Sequence, residues 1–196
     1  MRVLVTQFMS LDGVTQAPGG PEEDTDGGFA HGGWSMPYFD PETMGAAWAG
    51  ALDEAEAMLF GRKTWQVSAS AWPQQAGDPF ADRINGITKY VASRALTDAD
   101  MTWSGSVLLP AGDAVGAVRE LRDRNGGALL VQGSASLAAA LAEADLVDEY
   151  RLMIEPILLG GGKGVFPTTG IARPLELTGV TQATTGTLIA SYRRVR

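Results

Sequence analysis

The chain has 196 residues, a formal net charge of −8 and no cysteine; this length suits one domain with a sizeable core, and zero Cys excludes disulfides, thiolate-bound zinc and a cysteine nucleophile. The acidic balance lacks the basic stripe that nucleic-acid binding requires, and no run approaches the roughly 18 apolar residues of a membrane span. Met1-Arg2-Val3-Leu4 leads into a strand-like segment in place of a signal peptide, so a cytoplasmic protein with one domain over residues 1–196 is expected.

Arg2 to Phe8 is a short apolar strand. After a long irregular stretch, Met44, Trp48, Leu52 and Ala55 repeat at helical spacing. Ala57 to Phe60 is strand-like and stopped by Gly61, with a short helix through Trp65. Thr88 to Ala92 and Val107 to Leu109 are further runs of strand length. Val115, Val118 and Leu121 predict a helix that Asp113 caps and Gly126-Gly127 end. Leu129-Leu130-Val131 is a buried strand, and Ser134 to Glu143 an Ala-rich helix with Leu137 and Leu141 on one face.

Beyond that helix the pattern turns to strands alone. Glu149 to Leu159 is interrupted by Pro156, and Leu175 to Ala183 with Thr187 to Arg194 forms a hairpin turning near Thr185-Gly186. Alternating strands and helices followed by a strand-only tail predict an α/β protein, its mainly parallel sheet carrying an antiparallel edge.

The irregular stretch from Gly13 to Pro41 holds 7 Gly and 4 Pro in 29 residues and an acidic run of Glu22, Glu23, Asp24 and Asp26. Loops of this length inside a compact domain are functional or disordered. Trp34, Tyr38 and Phe39 favour a lid, since a purely solvating loop has little use for three aromatics.

Three predicted strands end on a small or hydroxyl residue beside a cation or a helix start. They are Phe60-Gly61-Arg62-Lys63-Thr64, Ala92-Ser93-Arg94 and Val131-Gln132-Gly133-Ser134-Ala135-Ser136. In open α/β sheets ligands bind beyond the carboxyl ends of the strands, where glycine admits backbone and helix N-termini offer N–H groups to anions. Three such ends in an acidic chain favour a ligand with several phosphates.

Gly160-Gly161-Gly162-Lys163-Gly164 has neither the G-x-G-x-x-G nor the Walker A spacing. It reads either as a flexible turn or as backbone passing close to a ligand. Ser10-Leu11-Asp12-Gly13 reads as a turn, or as an acid at a strand end that binds substrate or assists proton transfer. The single histidine, His31, excludes a multi-His metal site.

These fragments, in their order, resemble the dihydrofolate reductase-like superfamily, and within it the branch holding the reductase domain of bacterial riboflavin biosynthesis. The resemblance rests on Ser10-Leu11-Asp12-Gly13, Gly32-Gly33-Trp34 leading to Pro37-Tyr38-Phe39-Asp40, and Leu59-Phe60-Gly61-Arg62-Lys63-Thr64-Trp65. It continues through Val131-Gln132-Gly133-Ser134, Asp145-Leu146-Val147-Asp148-Glu149 and Pro156-Ile157-Leu158-Leu159-Gly160-Gly161-Gly162. It implies a three-layer α/β fold binding NADPH, with the segments Gly61 to Thr64 and Gly133 to Ser136 on the cofactor phosphates and Ser93 and Arg94 near the adenosine 2′-phosphate.

One departure matters. Dihydrofolate reductases carry an acid in the helix after the first long loop, whereas Pro41-Glu42-Thr43-Met44-Gly45-Ala46 has none one turn in, so folate is not the expected substrate. The chain also lacks the cysteines of the deaminase often fused to the riboflavin-pathway reductase.

The expectation is therefore an NADPH-dependent reductase acting on a small heterocyclic or carbonyl-type substrate, akin to a 5-amino-6-(5-phosphoribosylamino)uracil reductase. The alternative is a non-catalytic nucleotide-binding module of the same fold. Gln7, Asp12, Trp34 and Tyr38 are expected around the substrate, with Asp12 in the proton-handling role. Gly61, Arg62, Lys63, Thr64, Ser93, Arg94, Gln132, Gly133, Ser134, Ala135, Ser136, Gly160 and Gly161 are expected on the cofactor. A homodimer is also expected from the resemblance, and Leu152-Met153-Ile154 would suit either a dimer contact or the core.

Overall fold

A computed structural model describes residues 1–195. In chain order the elements are β1 (Arg2–Ser10), α1 (Thr43–Asp53), β2 (Ala55–Gly61), α2 (Arg62–Ala71), α3 (Pro79–Gly86), β3 (Thr88–Ala92), β4 (Ser106–Leu108) and α4 (Ala114–Arg122). They continue with β5 (Ala128–Gln132), α5 (Ala135–Glu143), β6 (Glu149–Glu155), β7 (Leu175–Gln182) and β8 (Leu188–Arg194). The strands form one sheet in the order β4-β3-β2-β5-β1-β6-β8-β7. The first six of that order run parallel, and β8 and β7 return antiparallel at one edge.

Alternation along the strands fills both faces of the sheet. Val3 and Val5 of β1, with Leu129 and Val131 of β5, pack under Val118 of α4 and Leu141 of α5. Leu4, Met58 and Leu130 face the other way, against Leu52 of α1, Trp65 of α2 and Ile84 of α3. Central strands covered on both faces read as continuous apolar runs, which is why β5 stands out in the sequence.

Several boundaries differ from the sequence reading, each for a local reason. Ala55 opens β2 and does not belong to α1, which stops at Asp53. Spacing alone misses α3, yet its start is marked by Asp78, whose carboxylate accepts the N–H groups of Phe80 and Ala81, with Pro79 in the first turn. Helix α4 ends at Arg122, ahead of Gly126-Gly127. Strand β6 ends at Glu155, because Pro156 brings no N–H to continue the ladder. Leu152 and Met153 are buried between β1 and β8, so that strand is spent on the core.

No helix among the described residues is long and apolar enough to cross a membrane.

Candidate active site

A cleft of about 1150 Å³ opens at the carboxyl ends of β1, β2 and β5. One wall is made by the turns after β2 and β5, contributing Gly61, Arg62, Lys63 and Thr64 on one side and Gln132 through Ser136 on the other. These turns are tied together. The Gly61 N–H donates to Ser134 Oγ at 2.8 Å, and the Ser134 N–H donates to Thr64 Oγ1 at 3.1 Å. The Gln7 side-chain amide donates to the Gly133 carbonyl, joining β1 to the same wall. Gly133 has φ +60°, and a Cβ there would stand 3.1 Å from Thr64 Cγ2, so both conformation and space call for glycine.

The helix starts show what this wall can hold. Asp78 caps α3 by accepting the N–H groups of Phe80 and Ala81, Asp113 caps α4 by accepting the Gly116 N–H, and Asp40 accepts the N–H groups of Glu42 and Thr43 where α1 begins. Among the described residues no side chain caps α2 or α5, and these two helices begin on the cleft wall. Their first N–H groups, with the Arg62 side chain, form a donor-rich cradle suited to phosphate oxygens, and Lys63 lines the same wall. The donor set therefore fits the phosphates of a dinucleotide, with Gly61 to Thr64 and Gly133 to Ser136 as the residues to hold them.

The stretch between β1 and α1 is an ordered roof. Gln16, almost wholly buried, organises it by donating from Nε2 to the carbonyls of Asp24 and Asp26 and accepting the Lys163 N–H on Oε1. Trp34 Nε1 donates to the Gln16 carbonyl, and the N–H groups of Gly33 and Ser35 donate to Ala17 and Pro18. Gly32 lies so close to the carbonyls of Gly20 and Pro21 that a Cβ would come within 2.6 Å of both, which accounts for a glycine at that crossing.

The acidic run of the roof is spent on two lysines. Lys63 Nζ lies 2.8 Å from Asp24 and 2.6 Å from Asp26, and Lys163 Nζ lies 2.5 Å and 2.8 Å from the same carboxylates. Lys163 and Lys63 together hold the Asp26 carboxyl down at about 2. Burial works against ionisation of Asp24, but the same two ammonium groups outweigh it and keep its pKa below the ordinary value. All four side chains line the cleft mouth.

The other half of the cleft is apolar. Phe8, Met36, Phe39, Trp48, Trp72 and Met153 line it. Phe8 meets Trp48 edge-on with centroids 5.9 Å apart, and Trp48 meets Trp72 at 6.0 Å. A flat ring entering here would find aromatic edges and faces. Polar groups are few: Thr6, whose buried Oγ1 has no partner among the described residues, and Ser35, whose hydroxyl donates to Glu155 Oε1 at 2.6 Å.

The structure gathers Gln7, Gly61, Arg62, Lys63, Thr64, Gln132, Gly133, Ser134, Ala135 and Ser136 on the cleft wall. It sets Asp12, Trp34, Tyr38, Ser93, Arg94, Gly160 and Gly161 outside the lining, for identifiable reasons. The Asp12 carboxylate accepts the Ser10 hydroxyl at 2.6 Å and the N–H groups of Leu159 and Gly160; these bonds, the Ser10 one foremost, hold it near 2, so it braces the Gly160 turn as an anion. Trp34 is buried inside the roof. Tyr38 sits in the turn before Asp40, its carbonyl accepting from Thr187. Ser93 Oγ accepts the N–H groups of Ala95 and Leu96, and Arg94 is exposed beside the end of β3. Gly160 and Gly161 lie in an exposed turn.

Trp48, Met153 and Lys163 are cleft residues that sequence reasoning did not assign to the site, and Gln16, Asp24, Asp26, Ser35 and Phe39 lie in the stretch it read as a lid but received no individual site role there. The readable signals were Trp48 on a predicted helix face and Glu155 closing the run Leu152-Met153-Ile154, an acid where a buried strand calls for an apolar residue.

With that geometry in hand, likenesses to known proteins can be placed. The chain is 26% identical over 170 residues to YyaP of Bacillus subtilis (strain 168), covering 84% of this chain and 80% of that one. It superposes with a TM-score of 0.75 and 19% identity on a putative riboflavin biosynthesis protein from Shewanella sp. PV-4, across 100% of both chains. A dihydrofolate reductase from Enterococcus faecalis, complexed with NADP(H), matches with a TM-score of 0.62 and 13% identity, over 100% of this chain and 97% of that one. These structural likenesses show that the fold is the dihydrofolate reductase-like one. The model of the RibD C-terminal domain matches residues 2–189, and the chain belongs to that family.

Proposed function

We propose that this protein is an NADPH-dependent reductase whose cleft seats the cofactor along the β2 and β5 turns and a flat substrate among the aromatic side chains. The observation that carries the reading is the pair of uncapped helix starts, α2 and α5, stitched through Ser134 and opening on one cleft next to Arg62 and Lys63. Family membership and the NADP(H)-bound dihydrofolate reductase of the same fold support it.

Bound NADPH would supply a hydride. The chain does the rest. Gly61 to Thr64 and Gly133 to Ser136 hold phosphates, and Gln7 fixes the β5 turn against β1. Phe8, Phe39 and Trp48 orient a heterocycle, and the roof from Thr15 to Asp26 keeps water from the reacting atoms. Arg94, exposed at the end of β3, is assigned to the 2′-phosphate that separates NADPH from NADH, with Ser93 beside it. The substrate class is a small heterocycle or carbonyl compound, of the type reduced by a 5-amino-6-(5-phosphoribosylamino)uracil reductase. We further propose that the chain works as a homodimer in the cytoplasm, which sedimentation equilibrium and fractionation would read directly.

Trp48 and Trp72 line the cleft, so their emission reports binding. Titration with NADPH and NADH should quench it, NADPH at the lower concentration, and Arg94→Glu should weaken NADPH more than NADH. Loss of NADPH absorbance against pyrimidine, pterin, flavin and quinone substrates would then show turnover. Failure to bind either nucleotide would overturn the assignment, and binding without reduction of any substrate would favour a nucleotide-binding module.

A further inference from the structure

Glu155 is wholly buried, and the reading above gives it no task. Its position follows from strand register. In the parallel pairing of β1 with β6, Phe8 stands opposite Met153 and Ser10 opposite Glu155. Residues two apart on a strand share a face. Phe8 and Met153 line the cleft, so Ser10 and Glu155 occupy the same face roughly 6–7 Å further along, just behind it.

Two features separate Glu155 from a structural acid. Oε1 accepts the Ser35 hydroxyl at 2.6 Å, and Oε2 is buried with no partner among the described residues. A structural carboxylate in such a place would be paired or fully hydrogen-bonded, since a bare anion out of water is costly. Cations do not relieve it: Lys63 and Lys163, the lysines of the cleft mouth, are engaged by Asp24 and Asp26. Burial pushes the Glu155 carboxyl up to about 7, against a smaller opposing effect of the Ser35 bond. Among the elements packed around it, β1 brings Asp12 just beyond Ser10, and the segment of Ser35 brings Tyr38 and Asp40. The start of β8 near Thr187 brings no titratable side chain. Asp12 and Asp40 are both held as anions near 2 by their own hydrogen bonds.

We propose that Glu155 stores the proton consumed in substrate reduction and passes it through the Ser35 hydroxyl to the substrate heteroatom in the cleft. The inference rests on the reductase reading. Both electrons arrive with the hydride, which forms the new bond at the substrate carbon. With Glu155 protonated, its carboxyl O–H donates to Ser35 Oγ and the Ser35 hydroxyl turns to the substrate; the Ser35 Oγ–H bond then breaks as its proton moves to the substrate nitrogen or oxygen, and the Glu155 carboxyl proton moves to Ser35 Oγ. Glu155 is left as a carboxylate and takes one proton from water when product departs, so one hydride and one proton account for the two hydrogens added. Ser35, as a cleft-lining residue, makes the contact; Glu155 acts through it.

The test uses Glu155→Gln, which keeps size and an acceptor for Ser35, together with Ser35→Ala. Thermal stability against pH reads the stored proton without any turnover. Because the folded acid titrates above the unfolded one, the native state holds an extra proton between pH 4.5 and about 7, so wild-type stability falls as pH rises through that window. Glu155→Gln should remove that slope, and Ser35→Ala should keep it. In turnover, kcat of the wild type should fall above about pH 7, whereas Glu155→Gln should lose that limb and at least about 100-fold in kcat, with NADPH quenching of Trp emission unchanged. Ser35→Ala should lose a comparable factor. A Glu155→Gln protein with the wild-type stability slope, or with the wild-type kcat and alkaline limb, overturns the proposal while leaving the reductase reading intact. A wild type that binds no NADPH overturns both.

Discussion

The hydroxyl of Ser134 accepts the N–H of Gly61 across 2.8 Å, so the loop after β2 and the loop after β5 form one wall. Ser134 also sits at φ +56°, an unfavourable conformation for a residue with a Cβ. The serine is therefore kept for its hydroxyl. Ser134→Ala should leave the Gly61 donor without a partner and let the two loops part, weakening NADPH binding about tenfold, equivalent to roughly 1.4 kcal/mol. Fluorescence titration checks this, and unchanged affinity would show that the loops are held apart from this bond.

Asp24 and Asp26 of the roof neutralise the lysines that a phosphate would otherwise meet. Asp26 is exposed, and exposed pairs add little to stability. Asp26→Asn should therefore leave the melting temperature within about 2 °C while freeing positive potential at the cleft mouth. NADPH should bind about threefold tighter at low salt, an advantage that vanishes near 1 M salt, where the Debye length falls to about 3 Å. Weaker binding by this variant would mean that the ion cluster positions Lys63 and Lys163 for the ligand.

At the opposite end of the sheet, Lys89 is fully buried. Its ammonium donates to the carbonyls of Asn85, Ile87 and Ser104 at 2.8, 2.8 and 2.9 Å and lies 4.5 Å from the Trp103 ring centre. Burial pulls its pKa down to about 8. Lys89→Met strips the donors from three carbonyls and should cost about 3 kcal/mol, a drop of roughly 6–12 °C in melting temperature. Between pH 8 and 10.5 the unfolded chain binds the extra proton, so wild-type stability should rise with pH, and the variant should lack that rise.

The sheet, the helices α1, α2, α4 and α5, and the turns that form the cleft wall were readable because each rests on a local signal. The run Leu129-Leu130-Val131 announces a strand covered on both faces, and Gly61 and Gly133 announce turns. The roof was not readable in the same way. Its hydrogen bonds link residues far apart in the chain, such as Lys163 to Gln16, and no spacing rule encodes which acid meets which lysine. Asp12 illustrates the limit: an Asp-Gly pair at a strand end marks a turn, but only folding shows its carboxylate turned to the N–H groups of Leu159 and Gly160 and away from the cleft. Glu155 was legible as an oddity, an acid ending an apolar run, without any clue that Ser35 would meet it.

Asp40 shows why the acid near the start of α1 is unavailable to a substrate. Its Oδ1 accepts the N–H groups of Glu42 and Thr43, where α1 begins, and its Oδ2 accepts both the N–H and the hydroxyl of Thr184, at 3.0 and 2.6 Å. One carboxylate thus ties the first helix to the β7–β8 turn. The Thr184 hydroxyl foremost, then the backbone donors, hold its pKa down at about 2. Because this folded value lies below the ordinary 3.8, the stabilisation is fully present above pH 3.8 and is lost as pH falls through about 2. Asp40→Ala should lower the melting temperature at pH 7 by roughly 3–5 °C, the scale of a lost helix cap, and should flatten the acid limb of stability below pH 4. NADPH affinity should be unchanged, because Asp40 lies outside the cleft lining. A variant that melts like the wild type but loses nucleotide binding would instead place Asp40 in the site.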